Sequence, residues 1–296
     1  MKASFPLILL ILFLTSCSTD KPQSDLVPVS VSILPQQYLL EQLAGDLLDI
    51  NVMVPPGASP ASYDPTVNQL VKLEQSVLYL RAGYLGFELG WMEKISTQHP
   101  DLRVLDLSQG LSLIAPENVH EHEHDHGHGE EHHHGGIDPH VWMSPSNMKH
   151  MAARLSETLL ELLPQDSLFI EKNTLNFLSK MDSLDRVIRA LLVDSQQRTF
   201  LIYHPALAYF ARDYGLEQKS LEFEGKEPSP AQIRMLIDLG REKGIEIVFI
   251  QKQFDRSNAE VLAREIGARV VQIDPLDLRW EEQILHIASV LNNKQL

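Results

Sequence analysis

From residue 29 onward, short β-rich runs, some of them apolar at successive positions, alternate with stretches whose apolar positions recur every third or fourth residue. The first pattern predicts buried strands and the second amphipathic helices. Residues 29–33 predict a strand, 36–44 a helix ending near Gly45, and 50–54 a strand closed by Pro55-Pro56-Gly57. Helix 67–75, strand 77–80, helix 87–96 and strand 103–106 follow. Strand and helix alternating at this spacing predict a parallel α/β lobe. The second half repeats the rhythm. Strand 200–203, helix 207–213, strand 217–221 and helix 230–243 lead to strand 245–250, helix 258–266, strand 269–273 and helix 280–291.

Between the halves the pattern is helical throughout. Pro145 suits the first turn of a helix running to about residue 163, where Pro164 interrupts it. A second helix is expected over 165–193, with Leu168, Leu175, Leu178, Met181, Leu184, Ile188 and Leu191 at three-or-four spacing. Such a helix spans about 40 Å. A coiled coil is the alternative, but no heptad repeat extends beyond this segment, which reads better as a rigid strut. The expected fold is therefore α/β, with two (β/α)4-like lobes joined by a single long helix and a metal site in the cleft between them. The expected organisation is an N-terminal lobe over 27–144, linking helices over 145–194 and a C-terminal lobe over 195–296.

The first residues read as an address. Lys2 precedes an apolar run over 5–14, the length of a signal-peptide core. That run is too short to cross a bilayer, which takes ~20 apolar residues. It ends in Leu14-Thr15-Ser16-Cys17, which looks like a bacterial lipobox, so residues 1–17 are expected to be a lipoprotein signal with Cys17 lipidated. A plain secretory signal with an incidental cysteine is the alternative. Residues 18–26 read as a tether. Cys17 is the only cysteine, so the rest of the chain holds neither a disulfide nor a thiolate metal site. The formal net charge of −15 excludes nucleic acid as a natural partner, since phosphates require a basic surface.

One segment carries its chemistry openly. Residues 120–134, HEHEHDHGHGEEHHH, hold eight of the thirteen histidines: His120, His122, His124, His126, His128, His132, His133 and His134. Imidazole suits zinc, copper and nickel. Interleaved with carboxylates, these histidines form an accessory metal-collecting loop over 117–136, too polar to build a core. The HExxH pattern of zinc proteases occurs here by alternation of His and Glu, and it works only on a stable helix.

Three further residues are candidate ligands of an ordered site. His140 follows the turn of Asp138-Pro139, His204 stands just past a strand in Tyr203-His204-Pro205, and Asp274 follows another in Ile273-Asp274-Pro275. Open α/β sheets place ligands beyond their carboxyl strand ends. Singly, each residue could equally be a helix cap or a surface group. Together, nitrogen and carboxylate donors at element junctions of both halves suit zinc.

These motifs, together with Val54-Pro55-Pro56-Gly57-Ala58-Ser59-Pro60, Tyr63-Asp64-Pro65, Asp138-Pro139-His140-Val141-Trp142, His204-Pro205-Ala206, Glu227-Pro228-Ser229 and Ile273-Asp274-Pro275-Leu276, resemble the zinc- and manganese-binding solute-binding proteins of ABC importers, the cluster A-I or ZnuA-like group. The resemblance covers nearly the whole chain past the tether. It implies two lobes on one long helix, metal ligands at His140, His204 and Asp274, and zinc rather than manganese because of the His-rich loop. It also implies a monomer in the cell envelope that docks on the permease of an importer with its ATPase, and no enzymatic activity. One position departs from the pattern: where the family carries its first ligand His, this chain has Ala61. Zinc is then held by three residues plus water, or by a loop histidine swinging in as the fourth ligand, or in a weakened site. Tyr63, Glu88 and Glu224 are further oxygen donors in the sequence.

Other functions compete with import. A zinc hydrolase would use an open coordination position to activate water, but no general base stands at a recognised spacing from His140 or His204. A zinc buffer or metallochaperone without a permease, or a site for Mn2+, has the same local residues. Whatever the route of delivery, each imidazole must be neutral to coordinate. Zinc affinity measured by titration is therefore expected to fall between about pH 7.5 and about pH 5; an unchanged affinity would exclude histidine ligation.

Overall fold

Strands that are apolar at successive positions need cover on both faces, and the fold provides it. The computed structural model describes residues 26–115, 136–196, 198–222 and 226–292. In the first half β1 (Val27–Val31), β2 (Leu48–Val52), β3 (Leu78–Arg81) and β4 (Arg103–Asp106) form a parallel sheet in the order β2-β1-β3-β4. In the second half β5 (Thr199–Ile202), β6 (Glu217–Ser220), β7 (Ile247–Gln251) and β8 (Arg269–Ile273) repeat that topology as β6-β5-β7-β8. Each sheet reverses its winding direction between its two central strands, which leaves a crevice past their carboxyl ends.

Helices α1 (Leu34–Ala44), α2 (Val67–Gln75) and α3 (Gly86–Gln98) belong to the first sheet. The second carries α6 (Ala208–Tyr214), α7 (Pro230–Glu242), α8 (Ser257–Ile266) and α9 (Trp280–Leu291). Local chemistry starts several of them. Thr66 accepts the Gln69 amide at the head of α2, Ser229 accepts that of Gln232 on α7, and each glutamine reaches back to the capping residue. The elements match the sequence expectation in kind and order, with ends shifted by one or two residues. The first strand begins at Val27 because Val27 pairs with Leu48, and Ile33 has already left the sheet to start α1.

The two helices expected between the lobes are α4 (Pro145–Leu162) and α5 (Ser167–Leu192), separated by one 3-10 turn over Pro164–Asp166. The long connecting element is α5, with α4 lying along it. Its buried positions Ile170, Phe177, Met181, Leu184 and Ile188 face one apolar core that runs from β1 and β3 through α4 and α5 to α9. Alternation along β5 and β7 sorts the second sheet's two faces. Phe200, Ile202, Ile247 and Phe249 join that shared core, whereas Leu201, Tyr203, Val248 and Ile250 pack with α7 and α8 in a separate cluster. The lobes thus share apolar interior across their junction.

Two buried indoles close the junction. Trp142 Nε1 donates to the Pro275 carbonyl at 2.8 Å, and Trp280 Nε1 donates to the Trp142 carbonyl at 3.0 Å. Tyr38 of α1 stacks on Trp280 with ring centroids 6.0 Å apart, and its hydroxyl donates to Glu281, which also pairs with Lys180 of α5. Trp280→Phe keeps an aromatic ring but orphans the buried Trp142 carbonyl. It is expected to cost about 1–3 kcal/mol of stability, read by urea denaturation. An unchanged midpoint would remove this bond from the account of the junction.

Candidate metal centre

The segment after residue 135 re-enters the structure at a closed base. The Asp138 amide donates to the Ile114 carbonyl at 2.9 Å, and the Tyr209 hydroxyl donates to the Asp138 carbonyl at 2.8 Å while accepting the Ile114 amide. Arg212 lies over the Tyr209 ring and donates to the Ser112 carbonyl at 2.7 Å. Thus α6 of the second lobe holds both strands of this base. The Asp138 carboxylate, fixed by that base, accepts both the backbone amide of His140 at 2.8 Å and its Nδ1 at 2.9 Å. His140 is buried beside Trp142, with ring centroids 5.3 Å apart.

His204 stands two residues past β5, at the crevice between β5 and β7. Gln251 at the end of β7 grips its backbone from both sides, accepting from the His204 amide at 3.2 Å and donating to its carbonyl at 2.6 Å. The Phe254 ring stacks on the imidazole with centroids 5.7 Å apart. Its Nδ1 meets the Glu222 carboxylate at 2.9 Å.

The two imidazoles meet edge to face, with Nε2 of His140 and Nε2 of His204 3.3 Å apart. A carboxylate beside each Nδ1 favours the proton on that nitrogen, which makes Nε2 of each ring the donor atom facing the gap. Such a gap accommodates one proton or one cation. Two zinc–nitrogen bonds of about 2.0–2.1 Å at a tetrahedral angle separate their nitrogens by about 3.3–3.4 Å. The observed 3.3 Å matches that separation, and equally that of a hydrogen bond between the two rings.

Asp274 follows β8, and its carboxylate accepts the Leu276 amide at 3.1 Å. Burial pushes its carboxyl above the usual range, aided by Asp277 and opposed by the Leu276 amide and Lys252. Trp142, two residues beyond His140, binds the neighbouring Pro275, so the His140 and Asp274 segments are tied through the backbone. No hydrogen bond or ion pair joins the Asp274 carboxylate to either imidazole. Among the described residues, no three His, Cys, Asp or Glu side chains come together as a metal-holding group. Ala61 is exposed on a turn that packs on the start of α3. The Phe87 amide donates to the Pro60 carbonyl at 2.8 Å, and a Cβ at Gly86 would lie 2.5 Å from the Ala61 carbonyl oxygen, so only glycine fits there. The histidines of 120–134, Cys17 and Glu224 lie outside the described residues.

Two other oxygen donors have structural occupations. Tyr63 donates to Gln69 at 2.8 Å. Glu88 is fully buried at the crevice of the first sheet, where it accepts Ser32 Oγ at 2.5 Å and the Ala82 and Gly83 amides at 2.6 and 2.7 Å. Burial pushes its carboxyl upward, while these three donors and Arg81, 3.8 Å away, pull it back. The orienting groups Asp138, Glu222, Gln251 and Phe254 were not among the residues singled out by sequence as site members. Glu222 had one available signal: its separation from His204 repeats the offset between paired residues of β5 and β6.

Comparison with known proteins places the chain. A family model described as "ZnuA: Zinc-uptake complex component A periplasmic" matches residues 29–289. The "Zinc-binding lipoprotein AdcA" of Streptococcus pneumoniae (strain ATCC BAA-255 / R6) is 26% identical over 274 residues, covering 92% of this chain. The chain spans about half of that relative's length, 54%. The "High-affinity zinc uptake system protein ZnuA" of Bacillus subtilis (strain 168) is 28% identical over 274 residues, covering 91% of this chain and 84% of the relative. A crystal structure of ZnuA superposes with a TM-score of 0.81 at 34% identity, covering 91% of this chain and 99% of the other.

Glu88 serves the first lobe's structure. Glu88→Ala orphans two buried amides and is expected to cost on the order of 3 kcal/mol in denaturant titrations. Zinc affinity of the still-folded variant should match the parent; a large loss would make Glu88 part of the metal centre.

Proposed function

Since this chain belongs to the ZnuA family of zinc-uptake components, we propose that it captures Zn2+ outside the cytoplasm and delivers it to the permease of an ABC importer. The observation that carries this reading is the pair of Nε2 atoms 3.3 Å apart, contributed by segments on either side of α5. Zinc is the cargo. His140 and His204 are its nitrogen ligands, and Asp274 supplies the carboxylate from the segment that Trp142 secures. Water or a histidine of the 117–136 loop takes the position that Ala61 leaves open. Two nitrogens with a carboxylate suit zinc over manganese.

The eight histidines of 120–134 act as accessory collectors. They lie in the chain between Ile114 and Asp138, whose backbones are hydrogen-bonded and of which Asp138 orients His140. Cys17 carries the lipid anchor in the cell envelope, in keeping with the name of the pneumococcal relative, a zinc-binding lipoprotein. Among the described residues no helix is long and apolar enough to cross a membrane. The protein works as a monomer, without catalysis, alongside the permease and its ATPase.

The test removes residues 117–136 and titrates zinc calorimetrically. The two ends of the loop are already hydrogen-bonded, so a short glycine link can close the gap. One tight site is expected to survive and to vanish in His140→Ala. Loss of all tight binding with the loop would move capture to the loop. Growth of a deletion strain in zinc-poor medium separates import from buffering: a defect rescued by added zinc is expected, and normal growth would favour buffering.

A further inference from the structure

We propose that Glu222 is a positioning residue of the metal centre, which locks the His204 ring with Nε2 toward His140 and is not itself a ligand. This rests on the reading of His204 as a zinc ligand. The placement begins with strand register. Residues Thr199 to Ile202 of β5 pair with Glu217 to Ser220 of β6. Pairing then continues past both strands: the Leu221 amide donates to the Ile202 carbonyl at 2.8 Å and the Glu222 amide to the Tyr203 carbonyl at 3.0 Å. The next step sets Glu222 beside His204. Ser220 Oγ donates to the Glu222 carbonyl at 3.0 Å, so the backbone bearing the carboxylate is held on both sides.

The carboxylate meets Nδ1 at 2.9 Å and its side chain is only 11% exposed. Nδ1 and Nε2 point away from opposite sides of the ring, so a carboxylate on Nδ1 cannot also reach a metal on Nε2. It accepts the Nδ1 proton, which leaves Nε2 as the donor atom. Gln251 fixes the His204 backbone and Phe254 covers one ring face, but neither prevents a half-turn of the imidazole about its Cβ–Cγ bond. Glu222 opposes it. Asp138 does the same for His140 from within its own turn. Partners of this kind orient the imidazole and raise its basicity.

The full chain is tested as wild type, Glu222→Ala, Glu222→Gln and His204→Ala. Zinc affinity is read at one equivalent against a chromophoric chelator, and the His204 tautomer by nitrogen-15 spectra of the metal-free protein. Glu222→Ala is expected to weaken zinc about 10–100-fold and to abolish the Nδ1–H preference of His204 while sparing that of His140. Glu222→Gln, whose amide oxygen still accepts, should keep the tautomer and recover part of the affinity. Parental affinity and tautomer in Glu222→Ala, with zinc binding impaired in His204→Ala, would overturn the positioning role alone. Parental affinity in His204→Ala would overturn the ligand reading and this proposal with it. Should Glu222→Ala fail to fold, Glu222→Asp decides, because its shorter arm withdraws the carboxylate: parental affinity there overturns the proposal.

Discussion

Two imidazoles drawn from opposite sides of a long connecting helix keep a fixed separation only if the segments that carry them cannot drift. Here the restraint is the exchange of indole hydrogen bonds between Trp142 and the 275–280 segment. Each bond is buried, so breaking it strands a carbonyl without water to replace the donor. Around it the apolar core passes without interruption from the first sheet through α4 and α5 to α9. A hinge between the lobes would have to open that core. The His140–His204 gap therefore belongs to the folded frame.

Within that frame the two ligand candidates are aimed by different means. His140 takes its orientation from a carboxylate two residues earlier, on a turn whose backbone is fastened by Tyr209 of the other lobe. His204 takes its orientation from a carboxylate on the neighbouring strand end. One device is local and the other needs the sheet. Both leave an Nε2 atom facing the same point, 3.3 Å from the other.

The repeated topology of the two sheets has been put to unequal use. Past the central strands of the second sheet stand His204 and its supports. Past those of the first lies Glu88, fully buried and occupied by Ser32 and two backbone amides. The first crevice is thus closed by a structural carboxylate, and Ala61 presents no imidazole beside it. The first half of the chain places its imidazole, His140, after the 117–136 segment instead of at the crevice of its sheet.

Much of this was legible in the chain. An unbroken apolar run such as 247–250, rich in β-branched residues, reads as a strand covered on both faces, and Thr66 or Ser229 announces a helix start by chemistry that acts over three residues. The Asp-Pro-His turn and the His-rich stretch declare their donor atoms without any fold. Side-chain donor type, element order and helix caps are local properties, and sequence determined them. What only the tertiary structure decided is contact across long separations. The sequence does not say that Glu88, an equally good oxygen donor, is consumed inside a lobe, nor that Glu222 faces Nδ1 of His204. Nor does it say that Trp142 and Trp280 meet, or that the two Nε2 atoms stop 3.3 Å apart. Those outcomes depend on register and on how apolar faces share one core, and both are settled only when distant segments compete for the same buried space.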